Sequence, residues 1–130
     1  MKIKILTIII LFILGLFFYV STNTQNERYE ITHSNINSYF TAINLFQLDN
    51  GRIPTSHEGL SALIKSPTDL MNTWKGPYIE QQYIDPWGNE YKYITPGLTA
   101  GSKFSVYSFG PNKIDEKCKG DDECIPDNIK

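Results

Sequence analysis

The chain has 130 residues, with 12 basic and 14 acidic side chains and a formal charge of −2. That balance, with a sequence pI of 5.6, removes the electrostatic footprint of a nucleic-acid binder, and 20% charged against 41% hydrophobic residues excludes a broadly disordered chain. Outside an apolar opening there is room for one small domain, too short for a two-domain enzyme, and the two cysteines permit one intrachain bridge but no four-thiolate zinc site.

Met1-Lys2-Ile3-Lys4 is followed by sixteen residues without a charge, Ile5 to Val20. As a helix these span about 24 Å, a little short of the ~30 Å hydrocarbon core, and Ile3 with a snorkelling Lys4 extends the reach. Lys2 and Lys4 precede the run and the first charges after it are Glu27 and Arg28. The positive-inside bias therefore predicts a cytoplasmic N-terminus with the remainder across the membrane. A cleaved signal peptide is the competing reading. Tyr19-Val20-Ser21-Thr22 offers no small-x-small site, and no cysteine follows for a lipid anchor. The expectation is an uncleaved anchor over residues 3–20. A translocated domain meets an oxidising compartment, where Cys118 and Cys124 are expected to pair. So short a loop gains only about 2 kcal/mol from closure, so the bridge would act by holding an acidic turn in one shape; two unpaired thiols are the alternative.

Ser21 to Asn26 is polar and uncharged and predicts a break, giving a division into an anchor with polar hinge at 1–26 and a folded domain at 27–130. Ile36, Tyr39, Phe40, Ile43 and Phe46 then recur at helical steps, with Asn35, Asn37, Ser38, Thr41 and Asn44 assigned to the wet side. This predicts a helix from about Glu27 to Asp49, stopped by Gly51 and Pro54. Thr55 with Glu58 forms a capping-box pattern before a short helix bearing Leu60, Leu63 and Ile64 and ending before Pro67. Thr68 to Tyr83 reads as irregular, and Asp85-Pro86-Trp87-Gly88-Asn89 as a turn. Tyr91 to Thr95 and Phe104 to Phe109 suit two antiparallel strands joined by a long loop, and the tail from Gly110 reads as lacking regular structure without a staple. A small sheet must bury one face, and the long helix is the element large enough to cover it. The fold class is α+β.

Leu48-Asp49-Asn50-Gly51-Arg52-Ile53-Pro54-Thr55, Glu58-Gly59-Leu60-Ser61-Ala62-Leu63, Gly76-Pro77-Tyr78-Ile79 and Asp85-Pro86-Trp87-Gly88-Asn89-Glu90-Tyr91 occur in that order. Together with Ser108-Phe109-Gly110-Pro111-Asn112 and Gly120-Asp121-Asp122, they resemble the major pseudopilin family of type II secretion systems, the G-type subunit, from about Tyr39 to Asn128. The resemblance implies a pilin-like fold, with an N-terminal helix packed on a C-terminal antiparallel sheet. It also implies a single-pass inner-membrane location with the C-terminal domain in the periplasm. The implied partners are other pseudopilin subunits and inner-membrane components of the secretion system, stacked into a short pseudopilus that moves folded proteins outward.

This chain departs from the family at two places. The family's basic leader, processing-site glycine and phenylalanine-led segment with a glutamate at its fifth position are not matched; Gly15 lies late in the apolar run and Val20 occupies the fifth place after it. An unprocessed subunit of this kind suits a minor, capping or regulatory role. The family's calcium loop, in turn, uses aspartate carboxylates and backbone carbonyls. By position Asn112 replaces one aspartate, whereas Asp121 and Asp122 keep the later acidic pair. The resemblance thus makes Asn112, Asp121 and Asp122 the candidate calcium ligands, a site weakened by the lost carboxylate; the residues by themselves read first as a solvated acidic turn. The bracketing cysteines suggest that a disulfide takes over part or all of the metal's loop-fixing role.

Nothing in the sequence assembles a catalytic constellation. His33 and His57 have no cysteine or carboxylate pair at zinc spacing, no Gly-x-Ser-x-Gly elbow or P-loop occurs, and Asp121 and Asp122 are chain neighbours rather than two groups flanking a cleft. The aromatics read as core before they read as a sugar platform. The expectation is a non-enzymatic structural subunit; the alternative is a membrane-anchored binding or regulatory module with a pilin-like domain that never assembles.

Overall fold

The structure, a computed structural model, describes residues 2–125, with side chains from Ile5 onward. The expected snorkelling of Lys4 and the end of the tail lie outside the described residues. One helix, α1, runs through Lys2–Asn50. It does not break at Ser21 to Asn26 as the polar composition predicts. Thr22 Oγ1 donates to the Tyr19 carbonyl and Thr24 Oγ1 to the Val20 carbonyl, both at 2.9 Å, so these hydroxyls are satisfied by the helix that carries them. By compactness the chain divides into two units, residues 1–30 and 31–130.

In the first unit every side chain from Ile5 to Val20 is exposed. By length and composition α1 can cross a membrane.

In the second unit α1 buries Thr32, Ile36, Tyr39, Ala42, Ile43 and Phe46, the helical stripe that packs into the core. Each large apolar side chain so buried contributes roughly 1.5–3 kcal/mol. Asn37, Thr41 and Asn44 face solvent. Asn35 does not. It lies beside Ile36 at the flank of the stripe, and its Nδ2 donates to Tyr91 Oη at 3.0 Å. The helix stops as its sequence requires: Gly51 has φ +73° and its N–H donates to the Gln47 carbonyl at 2.8 Å.

The capping box forms in both directions. Thr55 N–H donates to Glu58 Oε2 at 2.7 Å and Glu58 N–H to Thr55 Oγ1 at 3.2 Å. The helix expected beyond it is only a 3-10 segment, Gly59–Leu63, because Gly59 takes φ +58° and prevents an α-turn from propagating. A second 3-10 turn, Thr68–Leu70, interrupts the otherwise irregular connection. Leu60, Ala62, Leu63 and Leu70 join the core.

Three strands, β1 (Lys92–Ile94), β2 (Ser105–Ser108) and β3 (Glu123–Cys124), form an antiparallel sheet in sequence order. Tyr93 opposes Val106 across β1 and β2, and Tyr107 opposes Cys124 across β2 and β3. The tail therefore supplies a short strand of its own. α1 covers the sheet through Tyr39 against Tyr91 and Phe40 against Phe104, edge to face, with centroids 5.5 and 5.2 Å apart. The α+β architecture of a long helix on a small antiparallel sheet is the one the sequence predicts.

Candidate functional site

Two features of this fold stand outside its core: the exposed surface of α1 and the loop that ties β2 to β3. On α1, the apolar residues Ile31, Leu45 and Leu48 are exposed beyond the apolar segment, Leu48 at 80%. The sequence reading missed these three because they lie outside the core stripe, and their only signal is heptad-like spacing with Ser34, Ser38 and Thr41. Ser38 and Thr41 donate their hydroxyls to the carbonyls of Ser34 and Asn37 at 3.0 Å, leaving carbon rather than free donors on the surface.

The loop from Gly110 to Cys124 hangs from the Asp85 turn. Asp85 is buried; its Oδ1 accepts the N–H groups of Trp87 (3.0 Å) and Asn89 (2.7 Å), and its Oδ2 accepts Asn89 Nδ2 and Ser108 Oγ. Ser108 Oγ in turn accepts the Gly110 N–H at 3.0 Å. The turn chemistry was legible in the sequence, but not that one buried carboxylate would couple it to β2 and the start of the loop.

Within the loop, Cys118 and Cys124 are joined in a disulfide with Cα atoms 5.4 Å apart, inside the normal span. Asp122 is buried, and its Oδ2 accepts the N–H groups of Glu116 and Cys118, each at 3.0 Å. Burial raises its carboxyl above the usual aspartate range, opposed by those two N–H groups. Asp122 Oδ1 is buried without a hydrogen-bond partner among the described residues. The Asp121 side chain is exposed and its N–H donates to Glu116 Oε2 at 2.7 Å. Asn112 Oδ1 accepts the Ile114 N–H at 2.8 Å, and its Nδ2 donates to Glu116 Oε2 at 3.0 Å.

The three candidate calcium residues thus surround Glu116 rather than a shared vacant point. Calcium takes six to eight oxygen ligands. Here Asn112 Oδ1 and Asp122 Oδ2 already accept N–H donors, which leaves the buried Asp122 Oδ1 and the exposed Asp121 carboxylate, too few side-chain oxygens among the three residues for such a shell. Among the described residues no group of three His, Cys, Asp or Glu side chains could hold a metal ion. The donor set does not fit calcium. Glu116, which no sequence motif singles out, is the residue on which the loop converges.

Neither His33 nor His57 belongs to a metal-holding group among the described residues. His33 Nε2 lies 3.0 Å from Glu123 Oε2 on β3, a pairing across 90 residues that sequence spacing could not reveal. His57 lines an open groove of about 630 Å³ with Glu58, Ser61, Lys65 and Asp69. Glu58 and Asp69 are engaged by Arg52, and Ser61 Oγ donates to the Glu58 carbonyl at 2.6 Å. The Ser61 hydroxyl is therefore turned to backbone rather than to a base.

Comparison with known proteins agrees with this architecture. The family model for protein G of the type II secretion system matches residues 19–126. Type II secretion system core protein G of Pseudomonas aeruginosa is 34% identical over 94 residues, covering 70% of this chain and 65% of that protein. Its counterpart in Aeromonas hydrophila is 32% identical over 111 residues, covering 83% and 74%. The crystal structure of the major pseudopilin from the type 2 secretion system of enterohaemorrhagic Escherichia coli matches with a TM-score of 0.67 at 28% identity, over 80% of this chain and 90% of that one. The matched stretch spans 65% of the Pseudomonas protein and 52% of that from Dickeya chrysanthemi, between half and two thirds of their lengths. With the family model covering most of the folded region and the helix-on-sheet architecture shared with a solved pseudopilin, the chain belongs to the type II secretion system protein G family.

Proposed function

We propose that this chain is a structural, non-enzymatic subunit that contributes to a periplasmic pseudopilus for protein export. The apolar segment at 3–20 holds it in the inner membrane as a single-pass anchor, with the domain from residue 27 onward in the periplasm. Its partners are other pseudopilin subunits and inner-membrane components of the secretion system. The observation that carries this reading is that α1 supplies a wholly exposed apolar segment in one unit and, in the other, the stripe that covers the sheet. The first can hold the chain in a membrane before assembly and can pack against like segments afterwards. Support for a scaffold rather than a catalyst comes from the groove beside His57, whose carboxylates are engaged by Arg52.

Disulfide cross-linking tests this. Cysteines replacing Ile10 and Phe17, seven residues apart on one face of α1, are oxidised in membranes of cells expressing the secretion system. A ladder of multimers is expected. Monomer alone, or one fixed hetero-pair, would overturn assembly in favour of an anchored binding or regulatory module.

A further inference from the structure

The Gly110–Cys124 loop has its polarity the wrong way round for a cation. Three of its carboxylates each have one oxygen accepting two hydrogen bonds: Asp115 Oδ1 from Tyr107 Oη and Lys117 N, Glu116 Oε2 from Asn112 Nδ2 and Asp121 N, and Asp122 Oδ2 from Glu116 N and Cys118 N. Four of those six donors are backbone N–H groups. Lys117 and Cys118 both have left-handed φ values, 57° and 62°, in the turn that brings the N–H groups of Glu116, Lys117 and Cys118 onto the Asp115 and Asp122 carboxylates. Backbone N–H groups that converge in a turn make a concavity suited to anions. A calcium loop does the reverse, turning carbonyl and carboxylate oxygens toward the ion.

Glu116 fills the space that this arrangement leaves. A Cβ on Gly120 would fall on the Glu116 carboxylate, so the side chain lies directly over the Gly120 backbone. From there it joins the Asn112 end of the loop to the Asp121 end. Asp122 fastens the middle, and the Cys118–Cys124 bridge ties the middle to β3.

We propose that Glu116 and Asp122 act as built-in anions which, with the disulfide, close this loop so that it folds without a divalent cation. Glu116 is a positioning residue in this scheme. The inference stands on the loop alone and is independent of whether the chain assembles.

The test uses the full-length oxidised protein in detergent micelles, compared in millimolar CaCl₂ and in excess EGTA. Thermal unfolding is read alongside tryptic cleavage after Lys113, Lys117 and Lys119. Wild type is expected to give the same midpoint and the same slow cleavage in both conditions. Glu116→Ala removes a charged acceptor from two donors and is expected to be cleaved roughly tenfold faster, equally with and without calcium. Glu116→Gln, which keeps an acceptor oxygen, is expected to retain most of the protection. If Glu116→Ala fails to fold, the wild-type comparison decides by itself. A wild-type midpoint or cleavage resistance that rises with CaCl₂ would overturn the proposal, as would a Glu116→Ala loop protected as well as the wild type.

Discussion

His33 Nε2, on the helix, and Glu123 Oε2, on the last strand, approach to 3.0 Å and join two segments 90 residues apart. Glu123 is the neighbour of Cys124 and is paired with Ser108 across the sheet, so the contact ties α1 to the strand that ends the disulfide loop. The His33 side chain is 47% exposed, which keeps the contact weak, on the order of 0.5 kcal/mol. A double-mutant cycle of His33→Ala and Glu123→Gln by urea unfolding is expected to give a coupling of that size. Its larger signature is local, as faster amide exchange in β3 while α1 keeps its protection. A coupling of zero with unchanged exchange would remove the contact from the account.

Arg52 is expected to matter more. Its guanidinium engages Glu58 with two parallel bonds of 2.8 and 2.7 Å, reaches Asp69 at 2.8 Å, and lies 5.9 Å from the Phe46 ring centroid. Glu58 is held at a pKa of about 2, chiefly by Arg52 and further by Thr55. A depressed carboxyl pKa gives stability that is fully present above its unfolded value of about 4.5 and disappears as pH falls toward 2. Arg52→Met is therefore expected to cost about 2 kcal/mol at neutral pH. The gap between wild type and variant should close as pH drops through that window. Denaturant unfolding along a pH series measures it, and a gap that stays constant into strong acid would contradict the assignment.

The stripe of Ile36, Tyr39, Ile43 and Phe46, the stop at Gly51, the capping box and two of the strands could be read from sequence because each follows from local chemistry: helical periodicity, a left-handed residue, a reciprocal pair, β-branched and aromatic runs. Other features depend on what lies across the fold. Asn35 is polar, and only the position of Tyr91 makes it an inward-facing residue. Ser21 to Asn26 looked like a break because polar composition does not show that threonine hydroxyls will bond back to their own helix. The short helix after Glu58 shrank to a 3-10 turn because of the backbone angle at one glycine. In the C-terminal loop, the family resemblance points to Asp121 and Asp122, yet Glu116 Oε2 collects the donors of Asn112 and Asp121. Its only sequence trace is its place midway between Asn112 and Gly120.

The core stripe itself predicts a large, simple effect. Ile43 is fully buried on the face of α1 that covers the sheet, within a cluster shared with Leu63, Tyr93 and Val106. Ile43→Ala leaves a cavity that this aromatic-rich cluster cannot readily fill, and is expected to cost about 3 kcal/mol. Asn44→Ala, one residue along and exposed, should change stability by less than about 0.5 kcal/mol. Equal effects at the two positions, measured by urea unfolding, would mean that the helix does not present this face to the core.

Two glycines separate the cost of a backbone angle from the cost of occupied space. Gly51 and Gly110 have similar positive φ values, 73° and 64°. Around Gly51 an added Cβ meets nothing within 4 Å. Gly51→Ala therefore carries only the left-handed penalty, about 1 kcal/mol. At Gly110 the same Cβ would fall on the Asp121 carbonyl oxygen, where the start of the Gly110–Cys124 loop passes its later part. This neighbour is backbone, fixed between Glu116 and Asp122, and cannot rotate away as a side chain could. Gly110→Ala is expected to cost at least about 2 kcal/mol, the angle and the collision together. The damage should concentrate in the loop, raising amide exchange from residue 110 to 124 while the helix end near Gly51 stays protected. Thermal unfolding of both variants, with residue-level exchange, checks the pair. An equal loss at the two sites would mean that the loop ends do not approach as closely as the structure places them.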